Sequence, residues 1–137
     1  GVEHRVEFVR EVNGVKYYND SKGTNTDATI VAIQSFTCPI ILLVGGKEKN
    51  LSMATLKKNL SNVKQVIGYG DCGKRLVDDL VGEMGIVVVT MDEALQEARK
   101  VAIEGDVVLL SPTTSSFDQF SSFEERGRYF KALVQKL

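Results

Sequence analysis

The sequence is poor in the residues that build metal centres and disulfide frameworks. Its 137 residues include two cysteines and one histidine. Cys38 and Cys72 lie far apart without C-x-x-C spacing and read as reduced thiols of a reducing compartment. His4 has no second histidine with which to form a metal cluster, so no metal ligand is assigned. No apolar run approaches the ~20 residues needed to span a bilayer. The opening "GVEHRVEF" lacks the charged-then-apolar pattern of a signal peptide. An excess of one charge is lacking too, since 17 basic residues meet 18 acidic ones for a net −1. That balance offers no electrostatic argument for nucleic acid or a membrane surface as partner. Linkers, low-complexity tracts and repeats are absent. What remains is 43% hydrophobic and 26% charged, the composition of one globular domain of common size.

What is present is a regular alternation. "VEFVREV" (Val6–Val12) alternates, and Asn13-Gly14 separates it from "VKYYND", the strongest short signal for a β-hairpin. From Thr26, read as the N-cap, Ala28, Val31, Ala32 and Phe36 fall near one helical face. Pro39–Val44 is a short apolar run that fits a strand buried on both faces. A short helix over Met53–Leu60, a strand at "VKQVIG" and a helix around Lys74–Val81 follow. Ile86–Thr90 reads as a strand, and Thr90-x-x-Glu93 as a capping box opening the next helix. Asp106–Ser111 is another buried strand, and Ser122-x-x-Glu125 a second capping box for a last helix running to Leu137. A hairpin followed by β and α units predicts an α/β fold: a Rossmann-like, mostly parallel sheet flanked by helices, with an N-terminal β-hairpin.

In such sheets ligands bind at the carboxyl ends of the strands. One loop there invites a dinucleotide reading. Gly68, Gly70 and Gly73 fit G-x-G-x-x-G between a strand and a helix, with Asp92 near the end of the next strand. The same residues miss a P-loop, because Arg75 stands where the Mg²⁺-binding hydroxyl belongs. Asp92 also sits inside the Thr90–Glu93 box, where an acid serves the helix dipole. The favoured reading is a glycine-rich turn without a ligand, and a dinucleotide-binding module is the alternative.

Three other loops are rich in charge and hydroxyls. "NDSKGTN" carries Asp20, Lys22 and Thr24, "GGKEKN" carries Lys47 and Lys49, and "SPTTSSF" carries four hydroxyl residues between Pro112 and Phe117. Each alone reads as a solvated turn. Together, at one edge of one sheet and beside helix N-termini, they suit a small anionic ligand.

"HRVEFV", "NDSKGTN", "LLVGGKEK" and "LLSPTTSSFDQFSSFEERGRYF" occur in that order from His4 to about Phe130. In them the chain resembles the C-terminal domain of the Mur ligases, the ATP-dependent ligases that build the peptide stem of bacterial peptidoglycan, and within these the D-glutamate-adding branch. The resemblance implies that residues 1–137 are one amino-acid-binding domain of a three-domain cytoplasmic enzyme, with the ATP P-loop, the Mg²⁺ ligands and the UDP-sugar site on two other domains. It implies an acyl phosphate, made with ATP on the L-alanyl carboxylate of UDP-N-acetylmuramoyl-L-alanine and attacked by the amine of D-glutamate. It further implies that Arg5, Asp20 and Lys22 face ATP, and that Thr24, Lys49, Ser116 and the backbone N–H of Phe123 hold D-glutamate. A monomer is expected, with no catalysis from this domain alone. "PTTSSF" differs from the common family sequences, which leaves the roles of Thr113 and Thr114 open.

Overall fold

The computed structural model describes residues 2–137. Two strands, β1 (Glu7–Val12) and β2 (Val15–Asn19), form the predicted hairpin. Asn13 and Gly14 both take positive φ, 53° and 78°, as a two-residue turn matched to strand twist requires. The alternation continues with α1 (Thr26–Gln34), β3 (Ile40–Gly45), α2 (Ala54–Lys57), β4 (Val63–Tyr69), α3 (Gly73–Val81), β5 (Ile86–Val87), α4 (Met91–Val101), β6 (Val107–Leu110) and α5 (Phe123–Gln135).

The strands form one sheet in the order β1-β2-β6-β3-β4-β5. Only β1 runs antiparallel. The central strands explain their unbroken hydrophobicity. Every residue of β3 is buried, with Ile41 and Leu43 pointing to one face and Ile40, Leu42 and Val44 to the other. β6 divides likewise into Val108 and Leu110 against Val107 and Leu109. Helices α4 and α5 cover the first face through Met91, Leu95, Ala98, Phe130 and Val134. Helices α1, α2 and α3 cover the second through Ile33, Leu56, Leu76 and Leu80. No described helix is long and apolar enough to cross a membrane.

Four local expectations are corrected. The cap of α1 is Asn25, whose Oδ1 accepts the Ala28 N–H at 2.8 Å, and Thr26 is the first helical residue. Helix α2 is one turn rather than Met53–Leu60, because the Asn59 amide donates to the Thr55 carbonyl at 2.8 Å and closes it early. β5 stops at Val87 rather than Thr90, since its partner β4 ends at Tyr69 and turns through Gly70 at φ 75°. The box at Ser122 is half formed. Ser122 Oγ accepts the Glu125 N–H at 3.0 Å, but the Glu125 carboxylate turns to the Ser121 hydroxyl. The Thr90–Glu93 box is complete.

Candidate functional site

The loops leaving β2, β3 and β6 lie on adjacent strands, because β6 inserts between β2 and β3. Parallel pairing brings all three strand ends to one edge. There the loops are stitched to one another through their backbones. The Thr113 N–H donates to the Gly23 carbonyl at 2.8 Å, and the Gly45 N–H to the Pro112 carbonyl at 3.1 Å. The Lys47 N–H donates to the Ser115 carbonyl at 2.9 Å, and Thr114 Oγ1 to the Lys47 carbonyl at 2.7 Å. Gly46, at φ 140°, lies so close to the Ser115 carbonyl that a Cβ would collide with it. Thr113 holds a left-handed backbone at φ 71°, uncommon outside glycine and tolerated here because its neighbours over-determine it. Thr113 and Thr114 thus serve as junctions between loops.

Beneath the junction sits Arg126, fully buried on α5. Its Nε donates to Ser21 Oγ at 2.9 Å, Nη2 to the Ser21 carbonyl at 2.7 Å and Nη1 to the Thr114 carbonyl at 3.0 Å. Ser21 Oγ donates onward to the Phe123 carbonyl at 2.6 Å. One guanidinium therefore ties the β2 loop, the β6 loop and the first turn of α5 together. No carboxylate lies within ion-pair distance of it among the described residues. Burial lowers its pKa, while the charges of Asp118 and Asp20 partly offset that. A buried cation without an ion-pair partner lends the overlying loops a positive potential.

Arg5, Asp20 and Lys22 come together around a cleft of about 150 Å³, with Ala28 and Val31 as its apolar wall. The two cations are exposed and Asp20 is buried. Asp20 is fully engaged within the protein. Its Oδ1 accepts the Val6 N–H at 3.0 Å and its Oδ2 the Ser111 hydroxyl at 2.6 Å. Thr29 Oγ1 completes the chain 2.8 Å from Ser111 Oγ. Desolvation raises the Asp20 pKa, although the Ser111 and Val6 hydrogen bonds pull the other way. Asp20 ties β2 to β6 and anchors the segment bearing Arg5, while Arg5 and Lys22 supply the free charge.

The other expected residues lie on the same edge without lining one cavity. Ser116 is buried and its hydroxyl has no partner, like those of Thr113 and Ser115 beside it. Buried hydroxyls usually find partners, and these three on one loop have none among the described residues. Phe123 is the first residue of α5, directly after the capping Ser122, where backbone N–H groups lack intrahelical acceptors. Lys49 is exposed, as is Lys47. Glu48 between them is pinned: Arg75 Nε donates to its Oε1 at 2.9 Å and Nη2 to its Oε2 at 2.7 Å. The Glu48 N–H also donates to Asp71 Oδ2 at 3.0 Å. Lys49 is therefore a cation without an ion pair among the described residues, on a held loop. Thr24 is half-buried beside Lys22, with its N–H on the Lys22 carbonyl at 2.8 Å.

The glycine-rich turn does not keep the amides a pyrophosphate needs. The Asp71 N–H donates to Asp118 Oδ2 at 2.9 Å, the Cys72 N–H to the Gly46 carbonyl at 3.1 Å and the Gly73 N–H to the Gly70 carbonyl at 3.2 Å. Asp92 accepts the Tyr129 hydroxyl at 2.5 Å. The turn is a packing device, with an internal carboxylate where a phosphate would sit. One unexpected cluster joins Glu3, His4 and Glu7. It does not suit a cation, because the Lys131 ammonium already lies 2.8 Å from Glu3 and 3.3 Å from Glu7. The Asn19 amide nitrogen also lies 2.9 Å from His4 Nδ1, and Nε2 is the ring nitrogen that faces Glu3.

Arg126, Ser21 and Ser111 had no assigned role from the sequence. A signal existed for the arginine: Arg126, Phe130 and Val134 are spaced by four on α5, so Arg126 stands on its buried stripe.

The comparisons with known proteins bear on the family and the fold. Residues 4–114 match the family model described as "Mur ligase, glutamate ligase domain". The chain is 49% identical over its whole length to the UDP-N-acetylmuramoylalanine--D-glutamate ligase of Caldicellulosiruptor saccharolyticus, covering 31% of that protein. It is 44% identical over 98% of its length to the ligase of the same name from Syntrophus aciditrophicus, covering 30% of it. The chain thus spans about a third of the length of the curated relatives it matches. Among solved structures, the fold is shared with a bifunctional folylpolyglutamate synthase/dihydrofolate synthase from Yersinia pestis, at TM-score 0.71 and 18% identity over 98% of this chain and 32% of that one. It is also shared with the MurF ligase from Thermotoga maritima in complex with ADP, at TM-score 0.63 and 17% identity over 99% of this chain and 32% of that one. By its motifs, its fold and these relatives, the chain belongs to the Mur ligase family and carries that family's glutamate ligase domain.

Proposed function

We propose that this chain is the C-terminal domain of a three-domain, monomeric, cytoplasmic ligase that uses ATP and Mg²⁺ to join D-glutamate to UDP-N-acetylmuramoyl-L-alanine. The observation that carries the reading is a division of labour at one sheet edge. Arg5 and Lys22 face a cleft with a sealed carboxylate behind them, while Lys49, Ser116 and the start of α5 offer donors on the neighbouring loops. The full-length relatives, 44–49% identical, are named for this reaction.

In this reading Arg5 and Lys22 hold nucleotide phosphates and Asp20 fixes their loops. With both its oxygens engaged, Asp20 does not suit a metal, so Mg²⁺ would be held by residues outside this chain. Lys49 takes one D-glutamate carboxylate as a point charge. Ser116 and the Phe123 N–H take the other, helped by the helix dipole. Thr24 adds a hydroxyl between the two halves. ATP supplies the phosphoryl group that activates the L-alanyl carboxylate. The residues of this domain then hold the amine nitrogen of D-glutamate against that carbonyl carbon as the C–N bond forms and phosphate leaves.

The test compares the 137-residue chain with the full-length enzyme, each given ATP, D-glutamate and the UDP-linked substrate. The full-length enzyme should release phosphate in a D-glutamate-dependent way and this chain alone should not. Turnover by this chain, or a full-length enzyme indifferent to D-glutamate, would overturn the proposal.

A further inference from the structure

The sheet has two ends, and the loops described above use one. At the other, where β2 begins and α4 finishes, lies a cleft of about 310 Å³. We propose that this cleft is a second binding site, for a small organic carboxylate with an apolar body, held by Tyr17 and Arg99.

The cleft sets Tyr17 and Arg99 beside apolar walls from Val12 and Ile103, with Lys100 and the acidic Glu104 also on its lining. Tyr17 is 3% exposed and lines the cleft. A phenol on a cleft wall has an apolar body and a polar tip, and the tip can donate its proton to a ligand there. Arg99, on the last turn of α4, lies within electrostatic reach of Tyr17. Its only described hydrogen bond is a long one, 3.5 Å to Gln96 Oε1, and no described carboxylate pairs with it. Its neighbour Lys100 is neutralised by Glu97 at 3.2 Å. A guanidinium without a described ion pair and a phenol beside an apolar wall match a carboxylate that carries a hydrocarbon group, with Glu104 opposing a ligand of higher negative charge.

The rim is held in place before any ligand arrives. The Gly105 N–H donates to the Gly14 carbonyl at 2.9 Å, and the Lys16 N–H to the Asp106 carbonyl at 3.2 Å. Asp106 Oδ2 accepts the Ile103 N–H at 2.9 Å. The hairpin turn and the α4–β6 loop are thus one body, and binding need not order them. The carboxyl end of the α4 dipole opposes an anion, so specificity rests on Arg99 and Tyr17 and affinity is modest.

The test is a titration of the ¹⁵N-labelled 137-residue chain with benzoate, read from amide shifts, with benzyl alcohol as the uncharged ring of the same size. Benzoate should shift Gly14, Gln96, Arg99 and Ile103 saturably, with Kd on the order of 1 mM. Arg99→Ala should weaken it about tenfold, the loss of one charge-assisted hydrogen bond. Tyr17→Phe should weaken it several-fold, and benzyl alcohol should bind no better than benzoate does to Arg99→Ala. Arg99 is exposed, so its variant should keep the parent spectrum away from the cleft. The proposal fails if benzoate leaves these amides unmoved, if benzyl alcohol binds equally well, or if Arg99→Ala binds as tightly as the parent.

Discussion

Arg126 grips Ser21 twice, by Nη2 on its carbonyl at 2.7 Å and by Nε on its hydroxyl at 2.9 Å, across 105 residues of sequence. The contact is buried, so its loss strands Ser21 and Thr114 oxygens away from water. Arg126→Ala should cost roughly 2–4 kcal/mol of stability, from two or more buried groups left unpaired. Arg126→Lys should recover only part of that, since an ammonium lacks the planar fork. Urea denaturation of the 137-residue chain measures both. A loss below about 1 kcal/mol for the alanine variant would refute the structural role.

Acid should weaken the fold partly through Glu48. The Arg75 guanidinium holds the Glu48 carboxyl down at about 2, from an ordinary 4.5. A depressed acid contributes stability that is present above 4.5 and is lost as pH falls towards 2. Asp20 has the opposite sign. Its raised pKa favours the fold below its ordinary 3.8, and that contribution disappears as pH rises through the folded value. Glu48→Gln should therefore flatten the acid limb of a stability-versus-pH curve. The change should be no more than about 1 kcal/mol, since the pair is partly solvated. An acid limb with unchanged slope would assign the loss to other carboxylates.

The two thiols should differ in reactivity. Cys72 is buried and its thiol is pushed up to about 12 by burial, while Cys38 is only half-buried. A disulfide reagent at pH 8 should label one thiol of the native chain and both in denaturant. Cys38→Ser should abolish the native labelling. Rapid modification of Cys72 in that variant would contradict the packing of α3 on β3.

Lys49→Ala in the full-length enzyme should raise the KM for D-glutamate by roughly tenfold to a hundredfold, the weight of a lost charge-assisted contact. The KM for the UDP-linked substrate should stay near its parent value. Lys47→Ala is the control, because Lys47 contributes its backbone N–H and carbonyl to the Ser115 and Thr114 junction and needs no side chain for that. If Lys47→Ala gave the larger effect, the carboxylate contact would move to Lys47.

NADH should not bind the turn at Gly68–Gly73, because the Asp71, Cys72 and Gly73 amides are already engaged. Fluorescence titration checks this, and a saturable signal abolished by Gly70→Ala would reverse the reading.

Much of the architecture was legible in local pattern. The Asn13-Gly14 turn, the apolar runs of β3 and β6 and the Thr90–Glu93 box depend on residues close in sequence, and each formed there, with the ends of β3 and β6 shifted by one residue. Element ends were less legible. α2 stopped where a side chain from Asn59 took a carbonyl, and β5 stopped where its partner strand turned away. The loops of the site were visible as clusters of charge and hydroxyls, and Arg5, Asp20 and Lys22 do share one cleft. The resemblance placed Asp20 with Arg5 and Lys22 on the ATP side. Its carboxylate is consumed by Val6 and Ser111, the second of them 91 residues away.

By itself, then, the sequence determined which segments are strands and helices, which motifs carry the family, and which residues can offer charge. These follow from periodicity, turn chemistry and residue type, all local properties. Only the tertiary structure decided which polar groups are spent inside the protein and which remain free. It sealed the glycine-rich turn with Asp118, buried Arg126 beneath two loops and the first turn of α5 and left the Ser116 hydroxyl without a partner among the described residues. The physical reason is that a hydrogen bond is satisfied by whichever group the fold brings within about 3 Å, and sheet order, not chain order, chooses that neighbour.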